Sequence, residues 1–386
     1  MRRMFHRAVV SLLVPAALVA GGIIGAGPTL AAAPCITVWE LPYPTSFPAG
    51  LTVDDQGLVY VAASGDRVVY RLDPTADVWR SWGVGEGPEA VLVANGTVFT
   101  SVRHENLLVY LDPNGLAVSS YRLPWADLGP GEIHRGPDTP SGKWVLWVAC
   151  RDRPSLLRYE YDPALDAPSP VGAPTDSGAD RGSMPVTPRA LTTSYESYPY
   201  DVSQIPHPEP LPPARTSSPF TEWTLPQGDV HVEDIATTTD GAVWISFGTP
   251  FLYRLDPTAR TLQLMETIRN VVIWQGLTAA ADGSAWFGNV VEGGIGHFDP
   301  VLGISETWRI PGAIEIFDLA FDALGRVWFT DRLGDAVGRL DPATGEAIVY
   351  PLPENSEPLY VTVDAAGDVW FTAGTGNFVA RLTVDE

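Results

Sequence analysis

The chain has 386 residues, 45% of them hydrophobic, which excludes disorder throughout and supplies a large buried core. Its formal charge of −22 comes with a single lysine, Lys143, and a surface of that sign repels nucleic acid and anionic lipid. Two cysteines, Cys35 and Cys150, are too few for a disulfide framework; export would permit one bridge, and two unpaired thiols are at least as good a reading.

Residues 1–33 read as a secretory signal peptide. Arg2, Arg3 and Arg7 form a basic start, an apolar run follows from Ala8 to Gly27, and "LAAA" offers small-residue cleavage sites. The same run is about long enough to span a bilayer, so membrane attachment follows only if the segment stays uncleaved. Pro15 and Pro28 favour cleavage, and Pro34 makes Cys35 a poor lipidation site. The expected location is secreted or extracytoplasmic.

From residue 34 onward the chain is built on one repeated unit. "QGLVYVAASGDRVVYRLDP" at Gly57 is followed by "NGTVFTSVRHENLLVYLDP" at Gly96 and a degraded copy at Gly142. Gly241, Gly283, Gly325 and Gly367 then recur at an even spacing of about 42 residues. Each unit has a turn glycine, an apolar run with an aromatic, a short polar loop and a second run ending in Asp-Pro. A further short run lies before each glycine and another after each Asp-Pro. Four strands per unit, seven units and no room for helices predict an all-β, seven-bladed β-propeller over 34–386. The last copy stops after its third strand. "ITVWELP" (Ile36–Pro42) resembles the fourth strands, so it is predicted to complete the final blade and hide its open edge.

Residues 165–219 break the period. They are proline-dense and lack strand alternation, and read as a long extended insertion within blade three, available to a protein partner as an extended recognition element. Asp73, Asp112, Asp162, Asp256, Asp299 and Asp341, the repeated Asp-Pro aspartates, are predicted to be turn formers, not metal ligands.

Chemistry should gather on the opposite face, where seven sets of loops converge on one polar mouth. Counting back from each blade's aromatic places Ala49, Glu89, Glu233, Gln275, Phe317 and Leu359 at the starts of first strands. The second-to-third loops add Arg103, His104, Arg151, Asp152, Asn289, Asp331, Arg332 and Gly374, with His134 and Arg135 nearby. Candidate binding residues for a small molecule or protein at this mouth are Glu89, Arg103, His134, Glu233, Gln275 and Arg332. Asn289, Asp331 and Glu357, with Glu89, offer the oxygen ligands that magnesium or calcium prefers. The competing reading is that the acids pair with Arg103, Arg151 and Arg332 across the mouth. No HExxH, GxSxG or phosphate-binding motif is present in a suitable context.

In its repeats, such as "VWFTDRLGDAVGRLDPATGEAIVYPLP", the chain resembles the streptogramin B (virginiamycin B) lyases, over Ile36–Glu386 except the insertion. The resemblance implies elimination across the ester bond of a cyclic depsipeptide, with magnesium and a histidine base. The family's Glu-Pro-His segment falls here on Glu357-Pro358-Leu359, so the metal-binding glutamate is kept and the base is replaced by leucine. A second metal-binding glutamate falls on Gly374, a substrate-contacting histidine on Phe317 and a tyrosine on Ala49. Leucine cannot take a proton and one glutamate makes a poor magnesium site, so streptogramin lyase activity is expected to be absent. The leading expectation is an exported propeller that binds a ligand or partner, or serves as a scaffold. The alternatives are a metal-dependent lyase or lactonase, resembling the gluconolactonase-type propellers in fold and ligand type, and a structural subunit of a cell-surface assembly.

Overall fold

The computed structural model describes residues 17–18, 35–115, 117–164, 211–225, 231–249, 251–266, 273, 276–290 and 293–384. The rest of residues 1–33, read above as a signal peptide, and residues 165–210 of the insertion lie outside the described residues, as does Gln275.

Each repeat folds into an antiparallel sheet in which sequence order is spatial order. The first strands are Pro48–Val53, Pro88–Ala94, Pro130–Gly136, Asp234–Thr237, Leu277–Ala279, Ile316–Phe321 and Pro358–Val363. Each touches the first strand of the next blade, and the seventh touches the first, so the seven sheets close into a ring around a central channel. Closure uses the N-terminal strand. Cys35–Glu40 pairs antiparallel with Phe378–Thr383 and supplies the fourth strand of blade seven, and Trp39 stacks on Trp370 at 5.3 Å. Cys35 and Cys150 are both free thiols.

The repeated wording of the sequence is a set of local physical devices. All seven repeat glycines, from Gly57 to Gly367, have φ between 77° and 88°, a left-handed turn that a Cβ would strain. The Asp-Pro aspartates are turn formers: Asp73 and Asp256, for example, each accept two backbone N–H bonds from the residues just after the proline. In "VWFT" of blade six, Val327, Trp328, Phe329 and Thr330 are all buried. Val327 and Phe329 face blade five while Trp328 faces blade seven. Alternate side chains thus enter two different inter-blade cores, so the run is apolar throughout and does not alternate with polar residues. The arginine of "GRLDP" lies opposite the tryptophan in the ladder and stacks on it, as Arg339 does on Trp328 at 5.6 Å and Arg254 on Trp244 at 5.8 Å. In blade five His297 takes that place over Trp286, with ring centroids 4.5 Å apart.

Five first strands slip by a bulge near their starts, between Pro48 and Gly50, Pro88 and Val91, Pro130 and Ile133, Ile316 and Asp318, and Pro358 and Val361. The hydroxyl residue of the second strand picks up a backbone N–H that the bulge frees. Ser101 Oγ accepts from Ala90 N, Thr330 Oγ1 from Asp318 N and Thr372 Oγ1 from Tyr360 N, each at 3.1 Å. Bulges re-aim side chains, and here they turn them into the channel.

The end of the proline-rich insertion differs from the extended loop expected. Arg215–Ser217 pairs with Phe220–Thr224 and adds a fifth strand to blade three. Leu211 enters the core between blades three and four, and the Arg215 guanidinium lies 5.0 Å from the centroid of Trp125.

Candidate functional site

The mouth is organised by Arg151, at the turn after the second strand of blade three. Its Nη1 lies 3.0 Å from Glu233 Oε2 and its Nη2 lies 3.5 Å from Glu132 Oε1. Its Nε sits 2.9 Å from Glu89 Oε2, without the angle for a hydrogen bond. Arg103 joins the same assembly, 3.1 Å from Glu89 Oε1 and 2.7 Å from Asp152 Oδ1. Burial lowers the pKa of the Arg151 guanidinium, but the fields of Glu132, Glu89 and Glu233 outweigh it and hold it above the ordinary value. Of the residues singled out from sequence, Glu89, Arg103 and Glu233 are therefore drawn together by an arginine that the binding set did not include.

Arg332 stands apart. It makes a bidentate pair with Glu315, at 2.9 and 3.0 Å, and its guanidinium lies over Phe317 at 5.6 Å. Phe317 meets Tyr360 edge-on with centroids 5.9 Å apart, and the Tyr360 hydroxyl donates to Glu132 Oε1 at 3.3 Å. A continuous set of contacts thus crosses the mouth from blade six through blades seven and three to blades two and four.

Below the mouth the channel holds a cavity of about 210 Å³. Its polar wall includes Glu132, His134, Asp234, Asp318 and Tyr360, along with Thr52, Arg135 and Thr278. His134 Nε2 lies 3.9 Å from Asp234 Oδ1. Asp234 Oδ2 accepts from Leu277 N and Asp318 Oδ2 from Val361 N, both at 2.8 Å, so each aspartate ties its blade to the next. Burial, first of all, lifts the pKa of Asp318 to about 7 and pushes the His134 imidazole down to about 4. Burial also raises Glu132 and Asp234, each increased further by a neighbouring carboxylate, Asp234 for Glu132 and Asp318 for Asp234.

Sequence reasoning had placed His134 and Arg135 near this wall and missed Glu132, Asp234, Asp318 and Tyr360. Glu132, Asp234, Asp318 and Tyr360 lie on first strands, and the last three follow immediately after residues that counting had placed at the mouth. In blades three, six and seven the bulges were the hidden step. The Ser or Thr two residues after the aromatic in blades two, four, six and seven was the available signal.

The raised pKa of Glu132 has a testable consequence. A carboxyl that binds its proton more tightly folded than unfolded contributes least when ionised, so its penalty grows as pH rises from the unfolded carboxylate range. Glu132→Gln removes that titration. Urea unfolding should show the stability of wild type relative to the variant falling between pH 5 and pH 8. A difference that does not change with pH would show that Glu132 has no such shift.

The proposed oxygen ligands are engaged elsewhere. The Asp331 carboxylate accepts N–H bonds from Ile314, Glu315 and Gly334. Glu357 Oε2 accepts the Thr375 hydroxyl at 2.5 Å, and Asn289 is buried at the end of its strand. Among the described residues no group of three or more His, Cys, Asp or Glu side chains is placed to hold a metal ion. Nor do Leu359 and Gly374 restore one. A Cβ on Gly374 would come within 2.8 Å of Leu359 Cδ1, so a glutamate there would have to displace the leucine. The donor set does not fit magnesium.

Comparison with known proteins agrees with this architecture. The sequence model of the virginiamycin B lyase family matches residues 262–386. No curated protein matches the sequence. Among solved structures, a catalytically inactive virginiamycin B lyase from Staphylococcus aureus with quinupristin is similar at 17% identity and a TM-score of 0.67, covering 91% of this chain and 99% of that one. A streptogramin B lyase gives 18% identity and a TM-score of 0.67, covering 91% of this chain and 97% of that one. The extracellular domain of a one-component system from B. thetaiotaomicron gives 11% identity and 0.56, covering 90% of this chain and 39% of that one. Among the described residues no helix is long and apolar enough to cross a membrane. Ring, repeat and family match together make the chain a seven-bladed β-propeller that resembles the virginiamycin B lyases.

Proposed function

We propose that this propeller works outside the cytoplasm as a binding protein, taking a small ligand through its central opening, and that it does not linearise streptogramins. The observation that carries the reading is the contact between Leu359 and Gly374. At the two positions where the resemblance puts a base and a metal-binding glutamate, this chain has an apolar side chain filling the space over a glycine. What remains polar in the opening is a network of paired charges that can orient a ligand. The basic and apolar pattern of residues 1–33 supports the extracytoplasmic placement.

The test is incubation of the mature chain with quinupristin and magnesium, followed by mass spectrometry. The antibiotic should stay cyclic. A second reading, a lyase or lactonase of another kind, is favoured by one observation: His134 faces the channel beside Asp234. Screening lactones and cyclic esters with wild type and His134→Ala decides it. Turnover by wild type that the variant loses would establish the second reading over the first.

A further inference from the structure

We propose that the central cavity is a binding site for a small protonated amine, held by Glu132, Asp234 and Asp318 with Tyr360 and His134 beside it. This rests on the reading of the central opening as a binding site and names the class of ligand it takes. The cavity is large enough. At about 210 Å³ it exceeds the roughly 150 Å³ of engineered apolar cavities that take up benzene.

Its walls are of two kinds. Leu51, Val91, Leu277 and Val361 line an apolar part that suits a short hydrocarbon body. The polar part is short of positive charge. Three carboxyl groups line it against one guanidinium, that of Arg135, and Arg151 at the mouth reaches only Glu132 of the three, at 3.5 Å, while its other nitrogens serve Glu89 and Glu233. Arg135 is held by Asp138 and lies over Trp144.

Acceptor capacity is also left over. Asp234 and Asp318 each accept two backbone N–H bonds, and a carboxylate has about four lone-pair sites. The His134 ring lines the cavity and makes no hydrogen bond to any described residue. An ammonium group brings both the missing charge and three donors on one atom. A metal ion is the poorer match, because among the described residues no three ligating side chains converge.

The experiment is isothermal titration of the mature chain at pH 7 with n-butylammonium, with 1-butanol and calcium chloride titrated separately. Butylammonium should bind one to one. Butanol, which lacks the charge, should bind about tenfold more weakly or worse, the worth of one charge-assisted hydrogen bond. Binding should release protons as the carboxyls ionise, seen as an enthalpy that depends on the ionisation heat of an amine-free buffer. Glu132→Gln, which breaks no backbone bond, should weaken butylammonium by about tenfold and keep its cooperative unfolding. No heat with butylammonium, equal binding of butanol, tighter binding of calcium, or an unaffected variant would each overturn the proposal. Linearised antibiotic would overturn the non-catalytic reading and leave this titration standing, so the two failures are distinct.

Discussion

Replacing Arg151 with methionine should lower the stability of the protein at pH 8 by about 3–5 kcal/mol, the usual cost of stranding buried partners of a removed charge. The guanidinium reaches Glu89, Glu132 and Glu233, on blades two, three and four. Methionine fills much of the volume and leaves three carboxylates facing one another in a poorly hydrated opening. Arg103 still compensates Glu89, so the burden falls on Glu132 and Glu233. Those carboxyls, already raised in the wild type, would bind protons more tightly still, so the variant's deficit grows with pH and shrinks as pH falls toward 5. Denaturant unfolding of wild type and variant at pH 8 and pH 5 checks both parts. A loss under about 1 kcal/mol at pH 8 would mean that the network is solvated like a surface pair.

Gly338→Val should cost about 1–3 kcal/mol through overpacking, without touching the mouth. Gly338 lies opposite Phe329 in the ladder of blade six, and a Cβ there would stand 2.1 Å from Phe329 Cζ. The ring is fully buried in the core between blades five and six, so it cannot swing aside. Blade five repeats the device, with Gly296 2.0 Å by the same construction from Phe287 Cε2. Blade seven places Ala380 opposite Phe371, so a methyl can be accommodated where the ring is set differently, and Gly338→Ala should be the milder change. Thermal unfolding of both variants, with butylammonium titration as the control for an undisturbed channel, checks this. A valine variant as stable as wild type would show that the inter-blade core is looser than the packing implies.

The ring was legible in the sequence because each repeated letter has its own local physics. The glycines need a left-handed turn, the Asp-Pro aspartates cap turns, and "VWF" feeds two cores at once. Those requirements act within a few residues, so the turn glycine recurs in every blade and the other two in most, and the clasp by Cys35–Glu40 follows from counting strands. The mouth was legible in part. Glu89, Arg103 and Glu233 were found because loop residues converge wherever strand ends do. Glu132, Asp234, Asp318 and Tyr360 were not. A count along a strand assumes strict alternation, and in blades three, six and seven a bulge at the start of the strand shifts which side chain enters the channel. Whether Arg151 pairs with acids or leaves them to a metal is a matter of distances between blades, which no single repeat encodes.

The measurement closest to the central claim is the fate of a streptogramin B antibiotic held with the mature chain and magnesium, followed by mass spectrometry. With Leu359 against Gly374 in place of a base and a metal-binding carboxylate, the prediction is that only the cyclic form is recovered, at any protein concentration and from pH 6 to pH 9. A linearised product that accumulates in proportion to protein, and disappears with the protein omitted, would contradict it.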